Sequence, residues 1–113
     1  MIGISKLYFG TVEASDRLRY RKGVHRRPVV VWNCTPACNL ACSHCYAACA
    51  GEQCVLTTDQ ARAVIDDLAA FGVPVILFSG GEPFLRPDIR TLAAHAKARG
   101  IRVTFSTNGT LID

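Results

Sequence analysis

Short apolar runs alternate with longer amphipathic segments along most of the chain, and this alternation restricts the fold more than any other feature. Residues 29–33 and 75–78 are apolar and rich in β-branched and aromatic side chains, which is typical of buried strands, and residues 101–106 predict a third strand. A helical pattern separates each strand from the next. Two consecutive βαβ crossovers are right-handed and build a parallel sheet. The sequence therefore predicts an α/β fold with three strands and two helices.

Both predicted helices have recognisable ends. Thr57 and Gln60 have the spacing of a capping box, and Gly72 is placed to end the first helix. The second helix is predicted over residues 87–99, followed by Gly100. The apolar positions expected to face the core are Ala61, Val64, Ile65, Leu68 and Phe71 in the first helix and Ile89, Leu92, Ala93 and Ala96 in the second.

Residues 1–28 lack this regular pattern and are predicted to be an N-terminal extension with a short strand at residues 4–9. Basic side chains crowd between residues 17 and 27, but no aromatic stacking platform accompanies them, which favours a solvated arm over a nucleic-acid surface. The N-terminus has no long apolar core, and no apolar run approaches the length of a membrane span. We therefore expect a cytoplasmic protein without a membrane partner.

All six cysteines lie between Cys34 and Cys54. Disulfide-stabilised domains usually spread their cysteines along the chain, whereas a metal site gathers them. Cys38, Cys42 and Cys45 have the spacing C-x3-C-x2-C. Three thiolates on one compact loop can hold three irons of a cubane cluster and leave the fourth iron open to another ligand. The spacing therefore favours an iron–sulfur site.

A structural zinc site is the alternative interpretation of these cysteines. Zinc requires four ligands, and Cys34, Cys49, Cys54 or His44 could complete such a set. Cys34 follows the first predicted strand and is expected to be buried. Cys49 and Cys54 have no assigned role.

Two further motifs follow the second and third predicted strands. Gly80, Gly81, Glu82 and Pro83 form a turn whose glycines let backbone approach a ligand closely and whose rigidly held carboxylate suits an ammonium group. Two glycines alone would also suit an ordinary tight turn. Residues 106–109, Ser-Thr-Asn-Gly, follow the third strand. Because the carboxyl ends of parallel strands meet at one edge of a sheet, we expect all three loops to form one site.

The cysteine motif, followed one βα unit later by Gly-Gly-Glu-Pro, resembles the radical S-adenosylmethionine (SAM) superfamily over residues 29–113. The resemblance implies that Cys38, Cys42 and Cys45 bind a [4Fe–4S] cluster whose open iron is chelated by SAM. His44 stands where the family usually has an aromatic residue near the adenine. The cofactor-binding residues that the resemblance implies are His44, Gly80, Gly81, Glu82, Pro83, Ser106, Thr107 and Asn108; no catalytic residue is assigned.

The fold implied by the resemblance is a partial (β/α) barrel of the radical SAM type, of which the first three strands and two helices are present. An open sheet exposes an edge and an apolar face, so we expect a complementing C-terminal chain after Asp113. The resemblance also implies an electron donor such as ferredoxin or flavodoxin. Reduction of the cluster would cleave SAM to a 5′-deoxyadenosyl radical, which abstracts a substrate hydrogen.

A narrower resemblance rests on residues 1–8, 15–20, 28–33 and 65–69. These segments are similar to the radical SAM proteins of the alternative haem and haem d1 pathways, including the sirohaem-derived deacetylase, which implies side-chain removal from a modified iron tetrapyrrole. Residues 36–37, Pro-Ala, depart from the basic residues of these relatives. The alternative functions are a non-catalytic cluster- or zinc-binding fragment and a zinc-binding interaction module.

Overall fold

The computed structural model describes residues 27–46 and 55–112, which contain a three-stranded parallel sheet and two helices. The strands lie in the order β1-β2-β3, which confirms the predicted pair of crossovers. Their bounds are Val30–Asn33 for β1, Val75–Ser79 for β2 and Arg102–Phe105 for β3. Helix α1 spans Thr58–Phe71, helix α2 spans Ile89–Ala98, and a 3-10 turn at Pro83–Leu85 precedes α2.

Two ladders of apolar side chains cross the sheet on the face that the helices cover. Val30 pairs with Ile76, which pairs with Val103. Two residues further along the strands, the ring centroids of Trp32 and Phe105 each lie 5.7 Å from the ring centroid of Phe78. The buried residues that form the hydrophobic core are Cys34, Ala61, Ile65, Val73, Ile76, Phe78, Ile89, Leu92, Ala96 and Ile101. The central strand β2 therefore lies between its two neighbours and beneath both helices, and the predicted inward face of α2 is confirmed.

Helix α1 begins and ends where the sequence predicts. The Thr57 hydroxyl accepts a hydrogen bond from the Gln60 backbone at 3.3 Å, and the Gln60 side chain accepts one from the Thr57 backbone at 2.9 Å. Gly72 adopts a φ of 85°, and its N–H donates to the carbonyl of Ala69. A capping box at one end and a left-handed glycine at the other therefore fix the length of the helix.

The prediction that Phe71 faces the core is wrong. The residue is 55% exposed, and the Arg27 guanidinium lies 5.0 Å from the centroid of its ring. The turn at Gly72 returns the chain to the end of the helix, where the N–H of Val73 donates to the Leu68 carbonyl. Val73 is buried and occupies the end of the core that the sequence pattern assigned to Phe71.

A polar cluster joins the two helices on their outer side. One carboxylate oxygen of Asp66 lies 2.7 Å from Nε2 of His95 and 2.7 Å from Nε of Arg99. The hydrogen bond from Arg99 is the main reason that the pKa of Asp66 falls below its ordinary value, although partial burial opposes it. Within residues 27–46 and 55–112, the side-chain partners of Asp66 are His95 and Arg99, and we call these three residues the Asp66 clasp.

The opposite face of the sheet includes Val31, whose side chain is 60% exposed. No helix within residues 27–46 and 55–112 is long and apolar enough to cross a membrane. The predicted strand at residues 4–9, Cys49 and Cys54 lie outside the described residues. The division at residue 28 stays a prediction.

Candidate functional site

The three loops that follow the strands meet at one edge of the sheet. We call residues 34–46 the cysteine loop, residues 80–83 the glycine turn and residues 106–110 the third turn. The cysteine loop continues the ladder between β1 and β2: Cys34 N donates to Ser79 O, Gly81 N to Thr35 O at 2.8 Å, and Glu82 N to Ala37 O at 2.7 Å. The first two loops are therefore joined by backbone hydrogen bonds rather than merely adjacent.

The two glycines are required by this close approach. A Cβ atom on Gly80 would overlap the Thr35 carbonyl oxygen, and one on Gly81 would overlap the Ala37 carbonyl oxygen. The sequence suggested that these glycines let backbone approach a ligand. The backbone that approaches them in the structure belongs to the cysteine loop, so their first role is to let the loop lie against the end of β2.

Glu82 joins the glycine turn to the third turn. Its carboxylate is fully buried and accepts hydrogen bonds from the Thr107 hydroxyl at 2.8 Å, the Asn108 backbone at 2.8 Å and the Phe84 backbone at 3.0 Å. Burial raises the pKa of this carboxyl group, but the three hydrogen bonds together outweigh burial and bring the pKa below its ordinary value. A negative charge is therefore held beneath the rim of the site at neutral pH.

A third connection closes the ring of loops. The Asn39 side chain donates to the Thr110 hydroxyl at 2.8 Å and accepts from the Asn108 side chain at 2.9 Å. Asn39 directly follows the first motif cysteine, and sequence reasoning gave it no role. Its only signal in the sequence is its place beside Cys38, because the partners lie about seventy residues away.

The three motif cysteines carry exposed free thiols on the cysteine loop. The Leu40 N–H points to Sγ of Cys38 at 3.5 Å, and Cys45 N donates to the Cys42 carbonyl at 3.2 Å in a tight turn. In the described ranges, no three His, Cys, Asp or Glu side chains meet closely enough to hold a single metal ion. A cubane cluster gives each thiolate its own iron, so three accessible thiolates with a backbone N–H near one sulfur match the donor set of such a cluster.

Cys34 differs from the motif cysteines, as the sequence predicts. Its side chain is buried in the core, and burial raises the pKa of the thiol, which the nearby Arg86 charge offsets only in part. A buried, protonated thiol is a poor metal ligand. Cys34 is therefore a core residue.

The remaining predicted site residues lie around the same edge. His44 is exposed on the cysteine loop, Pro83 is buried at the start of the 3-10 turn, and Ser106 N donates to the Phe78 carbonyl at 2.8 Å. Sequence reasoning missed Tyr46, whose hydroxyl lies 3.1 Å from Oγ of the buried Ser79. An aromatic residue directly after the last motif cysteine was the available signal.

Comparison with known proteins identifies relatives of the chain. The family model described as the Radical SAM superfamily matches residues 32–113. The chain is 54% identical to Fe-coproporphyrin III synthase of Methanosarcina barkeri (strain Fusaro / DSM 804), over 100% of this chain and 32% of that protein. It is 44% identical to AdoMet-dependent heme synthase of the same organism, over 74% of this chain and 25% of that protein.

A third relative is Pre-heme d1 synthase of Dinoroseobacter shibae (strain DSM 16493 / NCIMB 14021 / DFL 12), with 47% identity over 74% of this chain and 21% of that protein. The chain thus spans about a third or less of the length of these relatives. No solved structure matches it.

Proposed function

The chain belongs to the radical SAM superfamily, and on that premise we propose that Cys38, Cys42 and Cys45 hold a [4Fe–4S] cluster beside a SAM-binding rim. The observation that carries this proposal is the attachment of the cysteine loop, with its three exposed thiols, to the glycine turn. Three thiolates leave one iron of a cubane without a protein ligand, which is the position that SAM requires. When bound, the reduced cluster supplies the electron that cleaves SAM to methionine and a 5′-deoxyadenosyl radical.

The residues of the rim would bind and orient SAM. The glycine turn and the third turn present backbone and side-chain groups at the carboxyl ends of β2 and β3, where ligands bind in open parallel sheets. The charge of Glu82 favours an ammonium group above it, since solvent screens a buried charge less than an exposed one. The hydrogen bonds that Glu82 accepts keep both turns in place before any ligand arrives. His44, exposed beside Cys45, would face the adenine.

We further propose that the protein removes side chains from a modified iron tetrapyrrole in haem biosynthesis. Support comes from the names of the relatives, which are Fe-coproporphyrin III synthase, AdoMet-dependent heme synthase and Pre-heme d1 synthase. In this proposal a ferredoxin or flavodoxin reduces the cluster in the cytoplasm. The chemistry of the cysteine loop would then be that of the superfamily, while substrate choice would depend on residues other than those of the cluster and SAM site.

The test is anaerobic reconstitution with iron and sulfide, followed by metal analysis and electron paramagnetic resonance with and without SAM. We expect four irons per chain, as a [4Fe–4S] cluster requires, and a reduced-cluster signal that SAM perturbs. Cys42→Ala should abolish the signal, whereas Cys34→Ala is the matched control and should retain it because the Cys34 side chain is buried in the core while the motif cysteines are exposed. Bound zinc, or no metal, in the reconstituted wild-type protein would contradict the proposal and favour a zinc-binding or non-catalytic fragment.

A further inference from the structure

Arg86 contacts both ends of the segment that contains the motif cysteines. Its side chain is buried, Nη1 donates to the Cys34 carbonyl at 2.9 Å, and Nη2 donates to the Leu56 carbonyl at 2.8 Å. These two carbonyl groups lie immediately before and after residues 35–55. One guanidinium therefore fixes where this segment leaves β1 and where it joins the approach to α1.

Asp88 holds the guanidinium in this orientation. Its two carboxylate oxygens accept from Nε of Arg86 at 2.7 Å and from Nη2 at 3.0 Å, and one of them also accepts from the Thr58 hydroxyl at 2.7 Å. The bond from Arg86 is the main reason that the pKa of Asp88 falls below its ordinary value. A planar, bidentate pair leaves the remaining guanidinium N–H groups aimed in fixed directions, which a lysine ammonium cannot reproduce.

The pair contacts the base of the loop and not its thiols. Backbone hydrogen bonds from Gly81 and Glu82 hold the part of the loop before Cys38. Arg86 holds the carbonyl groups at the two ends of the segment that contains the motif cysteines. The Asp66 clasp offers a contrast, because it joins α1 to the end of α2 and has no hydrogen bond to residues 34–46. Loss of Arg86 should therefore disturb the loop in a way that loss of the Asp66 clasp does not.

We propose that Arg86 and Asp88 are positioning residues for the iron–sulfur cluster: by fixing both ends of the cysteine segment, they set the geometry in which its thiolates bind iron. This inference rests on the proposed function of the cysteine motif. It assigns Arg86 no contact with cluster or SAM, so its effect passes through the loop.

The first arm of the test uses the apo protein and needs no cluster. Hydrogen exchange is measured by mass spectrometry in wild type, Arg86→Lys, Asp88→Asn and the control Asp66→Asn. We expect exchange across residues 35–46 to rise about tenfold or more in the first two variants and to change by less than about twofold in the control. Equal rates in all four proteins would overturn the inference.

The second arm reads the cluster itself. Each protein is reconstituted, and iron content, the resonance line shape and its response to SAM are compared. We expect Asp66→Asn to match wild type, and Arg86→Lys and Asp88→Asn to show a shifted line shape and a weaker response to SAM. Loosening of the loop with unchanged spectra would also overturn the inference, because the pair would then be a brace of the fold alone.

The two arms separate this inference from the proposed function. A wild-type protein that takes up no cluster overturns the proposed function and this inference together, whereas a normal wild-type cluster with unchanged variants overturns only the inference. Should Arg86→Lys and Asp88→Asn fail to fold, Thr58→Val decides the question. It removes only the hydroxyl that donates to Asp88, and it should give smaller changes in the same direction.

Discussion

The backbone N–H of Glu82 donates a 2.7 Å hydrogen bond to the carbonyl oxygen of Ala37, the residue directly before the first motif cysteine. Through its side chain, Glu82 also holds Thr107 and Asn108 of the third turn. One residue thus connects all three loops at the edge of the sheet. The Gly-Gly-Glu segment therefore builds the site as well as lining it, and this double role can be tested one residue at a time.

Replacement of Gly81 by alanine should damage the site by steric overlap alone. The new Cβ would meet the Ala37 carbonyl, and no positive φ adds to the effect at this position. We expect a loss of about 3 kcal/mol in the free energy of unfolding, since backbone must shift to admit the methyl group. Urea denaturation gives the value.

Gly100→Ala is the matched control for this variant. Gly100 has a φ of 82° but open space around its Cβ position, so only backbone strain of about 1 kcal/mol is expected. Cluster uptake should fall in Gly81→Ala and stay normal in Gly100→Ala. Equal losses of stability and of cluster in the two variants would show that the close approach of the loops does not matter.

The charge of Glu82 should make stability depend on acid pH. A carboxyl group whose pKa is lower in the folded than in the unfolded chain stabilises the fold above its ordinary pKa, and this contribution is lost as the pH falls toward the folded-state value. Below pH 5 we therefore expect a smaller decline in stability for Glu82→Gln than for wild type. Thermal unfolding between pH 3 and pH 7 measures both declines.

Glu82→Gln should also be less stable than wild type at pH 7, by about 1–3 kcal/mol, because a side-chain NH2 must face a backbone or hydroxyl donor. The acid dependence of Asp66→Asn is measured for comparison, since the pKa of Asp66 is also lowered, but by partners outside the site. If Glu82→Gln declined with acid as steeply as wild type, folding would not lower the pKa of the Glu82 carboxyl group.

Thiol reactivity should separate Cys34 from the motif cysteines in the apo protein. Iodoacetamide attacks thiolates that solvent reaches, and Cys34 is both buried and raised in pKa, whereas Cys38, Cys42 and Cys45 are exposed. We expect alkylation of Cys34 to be at least about tenfold slower, as read from tryptic peptides by mass spectrometry. In urea the rates should converge; a Cys34 that reacts as fast as Cys42 in the native protein would contradict its place in the core.

Much of the fold could be predicted because its signals are local. The ends of α1 depend on local residues, the capping box of Thr57 and Gln60 and the left-handed Gly72, and the apolar runs mark the strands. The convergence of the three loops followed from topology alone, because parallel strands bring their carboxyl ends to one edge. The prediction for Phe71 was wrong because the helical periodicity continues the apolar face to Phe71, whereas the chain turns at Gly72 and Val73 fills the core position instead.

The connections within the site could not be predicted, because their partners are distant in sequence. Arg86 and the Cys34 carbonyl are 52 residues apart, and Glu82 and Asn108 are 26 apart. A pattern of residue types contains no information about which carbonyl a buried guanidinium will reach. Glu82 was expected to face an ammonium group, and only the structure shows how many protein donors already surround it.

Asn39 and Asn108 should be energetically coupled, because their side chains hydrogen-bond across the edge of the sheet at 2.9 Å. A double-mutant cycle with Asn39→Ala, Asn108→Ala and the double variant isolates this term. We expect a coupling free energy of about 0.5–1 kcal/mol from urea denaturation, which is modest since both residues are exposed. Pairing Asn39→Ala with Asp66→Asn supplies the control cycle and should give a value near zero.

Cluster uptake and the response to SAM can be measured in the same set of variants. Asn39 lies beside Cys38. Asn39→Ala should therefore clearly lower cluster uptake or the response to SAM, while it lowers the free energy of unfolding only a little. Asn108→Ala should produce a defect of the same kind, and the defect of the double variant should be smaller than the sum of the two single ones, because the bond between the two side chains is lost in each variant. Additive defects on the cluster would mean that the two asparagines act separately and that the third turn does not hold the cysteine loop.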